Sequence, residues 1–243
     1  MTLLAFKGQP LEEHVKGMLQ AWDEVKGKYI PSIIRAMKAY GVKLGWDDAD
    51  RLMRALIILH DSGKGARIYQ DYLKSGEKLR GFRHELVSAY YALKILSQLF
   101  EERTAFVGSL VVMLHHEPIL MGQIANLDRD SLSAEVALDK LRNFDGVVSE
   151  LDEFLRKSFK KYLDVDVEVP NAETGEVVRT VVELSVKARH LPDAGKLRLI
   201  VGALLIPLVL CDYKGAEDRE GETPKFAEVL EVEWMGVEGD GKY

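Results

Sequence analysis

The chain has 243 residues, 47% of them hydrophobic and 30% charged, which is the composition of an ordinary globular protein rather than a disordered or fibrous one. A net charge of −6 gives no global basic field for nucleic acid, and the single cysteine, Cys211, excludes an internal disulfide framework and a Cys-rich zinc site. That cysteine usage fits a reducing compartment, and the N-terminal stretch lacks the basic and apolar regions of a signal peptide, so a cytoplasmic location is expected.

Helical periodicity dominates. Leu52, Ala55, Leu56 and Leu59 recur at intervals of three and four, as do Ala89, Tyr90, Leu93 and Leu96. Further helices are predicted over residues 104–116, with Pro118 as a stop, and over 131–142, 148–163 and 197–212. One stretch reads differently. Val165, Val167 and Val169 alternate with acids, Val178, Thr180, Val182, Leu184 and Val186 continue at period two, and Asn171 and Gly175 lie between; a small β-hairpin insertion over about residues 165–186 is therefore expected. The greasy run from Leu197 to Cys211 contains Arg198 and Pro207 and is too short to span a bilayer, so it reads as a buried core helix and no membrane association is expected. Residues 214–243 form an acidic C-terminal extension in which Leu230, Val232 and Trp234 make a weak strand signal. No repeat or Pro/Gly-rich linker marks a boundary, so residues 1–243 read as a single, mainly α domain.

The chemically versatile residues fall at helix ends. His60 and Asp61 close the first striped helix, His84 opens the next, His115 and His116 close the third and Asp212 closes the last. Three of these four clusters lie at carboxyl ends, where unpaired carbonyls favour a cation. Imidazole with carboxylate suits Mn, Fe, Co, Ni or Zn, and a carboxylate can bridge two ions as an imidazole cannot. A lone histidine is ordinarily a hydrogen-bonded core residue, but adjacent His-Asp and His-His pairs at the ends of apolar runs demand partners for both side chains. His14 and His190 have no such local support.

The ordered set His60-Asp61, Lys64, His84, His115-His116 and Asp212 resembles the HD-domain metallohydrolases, and more specifically the free-standing nuclease subunit of type I CRISPR interference that lacks the helicase. The resemblance runs from His14 to Asp212. It implies an HD-domain helical bundle and makes His14 the early histidine of the motif. It implies two divalent transition-metal ions (Mn2+, Ni2+, Co2+ or Fe2+ in preference to Mg2+), one on His14, His60, Asp61 and Asp212, the other on Asp61, His84, His115 and His116. The implied activity is two-metal hydrolysis of single-stranded DNA in antiviral defence, endonucleolytic or exonucleolytic, with a separate ATP-dependent helicase and an RNA-guided surveillance complex as partners. Asp61 and Lys64 are then the catalytic pair, Lys64 reaching a phosphate from a glycine-flanked loop.

The segment from Lys64 to His84 carries six basic residues against two acidic ones, which suits a polyanion. Tyr69, Tyr72 and Phe82 interleave with them, either as stacking faces for a single strand or as core. Two alternatives use the same residues: an HD phosphohydrolase acting on nucleotides or cyclic nucleotides, and a non-catalytic interaction subunit.

Overall fold

The computed structural model describes residues 2–76, 79–116, 134–190 and 194–216. Two short antiparallel strands, β1 (Leu4–Phe6) and β2 (Gln9–Pro10), lead into the long helix α1 (Leu11–Ala39). Then follow α2 (Trp46–Leu59), a 3-10 turn (Ser62–Gly65), α3 (Arg67–Ser75), α4 (His84–Leu99), α5 (Glu102–Leu114), α6 (Ala134–Lys140), α7 (Glu150–Leu163), α8 (Thr174–Arg189) and α9 (Ala194–Lys214).

The core is built on α4 and α1. Helix α4 is buried along most of its length and packs on α5, α8 and the 3-10 turn, while α1 packs on α9 and α2. Gly108 of α5 lets α4 and α5 approach closely: a Cβ there would lie 2.7 Å from Leu96 Cδ1 and 3.1 Å from Leu56 Cδ2. Pro31 inside α1 and Pro207 inside α9 each remove a backbone donor, yet both helices run on, α9 as far as Lys214. Among the described residues no helix is long and apolar enough to cross a membrane.

The helical bundle with a small two-stranded antiparallel sheet agrees with expectation, but the sheet is elsewhere. The hairpin expected over about residues 165–186 is corrected by the structure to a stretch without strand pairing followed by α8. The valines there satisfy both periods. Val177, Val181, Leu184 and Ala188 are buried at helical spacing, whereas Val186, which the alternating pattern would turn inward, is 45% exposed. The pairing that does form, Leu4 with Pro10 and Phe6 with Gln9, is too short to leave an alternating signature. Helices α1 and α3 were not read from the sequence. Pro118, Lys78 and the strand signal at Leu230, Val232 and Trp234 lie outside the described residues.

The helical assignment makes a prediction about α8. Val181→Asp should bury an unpaired carboxylate and lower the thermal unfolding midpoint by roughly 6–12 °C, from a penalty of ~3 kcal/mol. Val186→Asp should shift it by less than about 2 °C. Circular dichroism melts of the two variants check this, and a hairpin would reverse their order.

Candidate metal centre

The helix ends converge on one carboxylate. Asp61 follows the last turn of α2 and is completely buried. Its Oδ1 lies 3.2 Å from His84 Nε2 and 3.6 Å from His115 Nε2, and its Oδ2 lies 3.3 Å from His60 Nε2 and 3.6 Å from His14 Nε2. Asp212, near the end of α9, completes the second side, with Oδ1 3.1 Å from His14 Nε2 and 3.7 Å from His60 Nε2. Two groups result, Asp61 with His84, His115 and His116, and Asp61 with His14, His60 and Asp212; within each, the potential ligand atoms all lie within 4.8 Å of one another.

Backbone carbonyls set the direction of the rings. His60 Nδ1 meets the Ile57 carbonyl at 2.8 Å, His115 Nδ1 the Val112 carbonyl at 2.6 Å and His14 Nδ1 the Gly215 carbonyl at 3.2 Å. A carbonyl can only accept, so Nδ1 of each ring carries a proton, and in the neutral form the lone pair is left on Nε2, which points into the cluster. Two of these carbonyls belong to the last turn of the histidine's own helix, where no backbone partner is available. His84 has no such carbonyl: its Nδ1 lies 3.4 Å from Glu85 Oε2 without a hydrogen bond between them.

Position 63 fixes the distance between the two halves. A Cβ on Gly63 would stand 1.9 Å from the His84 carbonyl oxygen and 2.9 Å from the Ser88 nitrogen, and the Gly63 N–H donates to Ser88 Oγ at 2.8 Å. The 3-10 turn therefore presses directly on the amino end of α4, and this contact brings His84 to Asp61.

The donor set fits divalent cations. Nε2 of His14, His60, His84 and His115, Oδ1 of Asp61 and Oδ1 of Asp212 are all buried without a hydrogen-bond partner. Orphaned acceptors converging from five helix ends and turns are costly unless a cation takes them up. The charged groups of the cluster also act on one another. Burial opposes charging of Asp61, but His60 and Lys64 outweigh it and hold the carboxyl well below its usual range. Burial likewise opposes a charge on His60, and Asp61 with Asp212 overcomes it, raising the ring to about 10. His116 goes the other way, pushed down to about 3 by burial and by the neighbouring His115 and His84. His84 is also lowered, chiefly by burial.

The structure brings His14, His60, Asp61, His84, His115, His116 and Asp212 together in these two groups, with Lys64 beside Asp61. That lysine is not a loop side chain reaching for solvent: it is 1% exposed, and its Nζ donates to Asp61 Oδ2 at 2.6 Å. Tyr69 and Phe82 are core residues, and Tyr69 packs 5.5 Å from the His84 ring. His190 ends α8 as an exposed residue outside both groups. Sequence reading missed Gly63, Ser88 and Glu85, whose signal was proximity in the chain to Asp61 and His84 and nothing more specific.

No family model matches the chain. It is 60% identical over 236 residues to a Pyrococcus furiosus protein named CRISPR-associated endonuclease Cas3-HD, an alignment covering 97% of this chain and all of that one. The chain belongs to the Cas3-HD family. A Methanocaldococcus jannaschii protein of the same name is 51% identical over 235 residues, 96% of each chain. Among solved structures, the Cas3 HD domain protein of Methanocaldococcus jannaschii superposes with a TM-score of 0.73 at 43% identity, covering 86% of this chain and 100% of that one. Membership of the Cas3-HD family thus joins the His/Asp cluster to relatives named as endonucleases.

Gly63→Ala should separate the two halves. With the α4 end pushed away, His84 loses its reach to Asp61 while His14, His60 and Asp212 stay in place. Calorimetric titration with Mn2+ should show one class of sites weakened about tenfold or more, the effect expected when the support of a metal ligand is removed, and the other little changed.

Proposed function

We propose that this chain is a metal-dependent nuclease that degrades single-stranded DNA in CRISPR antiviral defence, acting with a separate ATP-dependent helicase and an RNA-guided surveillance complex. The observation that carries the reading is the sharing of Asp61 between two groups of closely spaced ligand atoms, most of them buried without a hydrogen-bond partner, in a chain 60% identical to a named endonuclease. His14, His60, Asp61 and Asp212 would hold one ion, and Asp61, His84, His115 and His116 the other. Bound divalent cations supply Lewis acidity, stabilising the negative charge that develops on a phosphodiester as it is hydrolysed.

The side chains do the arranging. The Nδ1 anchors keep the His14, His60 and His115 imidazoles from rotating, and the Lys64 ammonium holds Asp61 Oδ2 in a single orientation. The His14, His60 and Asp61 side is closed, whereas His84 and His116 lie nearer the surface, which makes the second group the side a substrate would meet. With Lys64 committed to Asp61, contact with substrate phosphates passes to residues nearer solvent. Arg83, directly before His84, is 41% exposed along its side chain, and Arg67, Lys74 and Arg80 are exposed in the same basic segment. A few such cations give a salt-sensitive, sequence-independent grip. A flexible single strand reaches metals recessed among helix ends more readily than a duplex does.

Metal analysis of Mn2+-loaded protein should find two ions per chain, because seven ligand side chains exceed what one ion takes. Mn2+, Co2+, Ni2+ or Fe2+ should support faster cleavage than the oxygen-seeking Mg2+.

Circular and linear single strands should be degraded in Mn2+, more slowly as salt rises, and blunt duplex should be spared. Asp61→Asn should reduce cleavage to background with the helical fold retained, and His190→Ala should stay within about twofold of wild type, as expected for a surface position away from the site. Hydrolysis confined to nucleotides would favour a phosphohydrolase, and no metal-dependent turnover of any phosphate ester would favour an interaction subunit.

A further inference from the structure

The N-terminal hairpin closes over the buried lysine. The Phe6 ring centroid lies 3.6 Å from Lys64 Nζ, and the same ring meets His14 edge to face at 5.3 Å between centroids. Lys64 at 1% exposure has given up its water. One of its three protons goes to Asp61 Oδ2, and the negative face of the Phe6 ring stands where solvent would otherwise solvate the rest of the ammonium.

A third residue ties these two together. The Gln70 carboxamide is nearly fully buried and makes three bonds: its Oε1 accepts from the Leu4 N–H at 3.1 Å, and its Nε2 donates to the Leu4 carbonyl and to the Lys64 carbonyl, each at 2.8 Å. One side chain thus reads both the strand that carries Phe6 and the turn that carries Lys64. The opposite strand is held as well, since Gln9 Nε2 donates to the Gly215 carbonyl that also anchors His14.

We propose that Phe6 is a positioning residue for phosphodiester hydrolysis, acting through Lys64, and that Gln70 is the clamp that keeps Phe6 over the ammonium. Without the ring face, the ammonium gains more from water than from its buried place and leaves Asp61 Oδ2. The carboxylate shared by the two groups then loses its fixed donor and is free to turn. An aliphatic side chain of similar bulk would fill the space but offer no quadrupole, so the effect depends on the aromatic face.

The decisive test does not need activity. Metal-free chain is treated with an acylating reagent for amines, and modification of Lys64 is compared by peptide mass spectrometry with that of the exposed Lys157 and Lys160. Alkylation of the buried Cys211 thiol reports global opening. Lys64 of the wild type should react at least about tenfold more slowly than Lys157; Phe6→Leu should raise its reactivity about tenfold with Cys211 unchanged, and Phe6→Tyr should stay protected. Gln70→Ala, which leaves the ring in the chain, should move Lys64 in the same direction as Phe6→Leu and decides the matter if the leucine variant does not fold.

Unchanged Lys64 reactivity in these variants, a rise matched by Cys211, or a tyrosine variant as reactive as the leucine one would overturn the proposal. The rate measurement rests on the nuclease reading above: with Mn2+ and circular single-stranded DNA, Phe6→Leu should lower kcat about tenfold with KM within twofold, and Phe6→Tyr should restore it. A raised KM at unchanged kcat would also overturn the positioning role. Wild-type protein that cuts no nucleic acid would defeat the nuclease reading and leave the labelling result standing.

Discussion

The Asp61 carboxylate is the point at which the rest of the structure is fixed. A fully buried carboxylate is tolerated only when partners surround it, and here His84 and His115 face one oxygen while His14, His60 and Lys64 face the other. Those partners come from α1, α2, the 3-10 turn, α4 and the end of α5. The packing of the bundle and the geometry of the centre are therefore one problem: helices that failed to meet here would leave Asp61 charged and alone in the core.

A recurrent local device makes that convergence affordable in directional terms. Two of the helices that end at the centre, α2 and α5, leave backbone carbonyls unpaired in the final turn, and a histidine three residues on turns back to use one of them, His60 on Ile57 and His115 on Val112. The bond that satisfies the helix end also selects the tautomer that points Nε2 inward. His14 sits in the first turn of α1 and has no such carbonyl in its own helix, so the chain supplies one from Gly215, two hundred residues later. Residues just past α9 thereby set the direction of a ligand at the beginning of the chain.

Glycines set how close the elements come. Gly63 brings the 3-10 turn against the backbone of His84, and Gly65 does the same against Leu151 of α7, where a Cβ would meet Leu151 Cδ2 at 2.8 Å. Lys64 lies between them, pressed inward on both sides. This explains why a lysine flanked by glycines, which in sequence looks like the tip of an open loop, is among the most buried side chains of the protein.

The sequence alone determined the helical bundle and most of the side chains that meet at the centre, because these are written in local signals, whereas His14 carries none and is singled out only by the family resemblance. Apolar residues at intervals of three and four mark α2 and α4, and polar pairs such as His60-Asp61 and His115-His116 at the ends of apolar runs mark positions that need partners. Where two periods fit the same valines, as in α8, the local signal is degenerate, and only the bundle decided, since Val177, Val181, Leu184 and Ala188 find a core on one side that an isolated hairpin would lack. The division of Asp61 between two groups, the burial of Lys64 beneath Phe6 and the clamp at Gln70 join residues far apart in the chain, such as Gln70 to Leu4 and His14 to Gly215. No periodicity encodes such meetings, because they exist only once the helices have packed and the cost of burying each polar group can be met by a partner from another element.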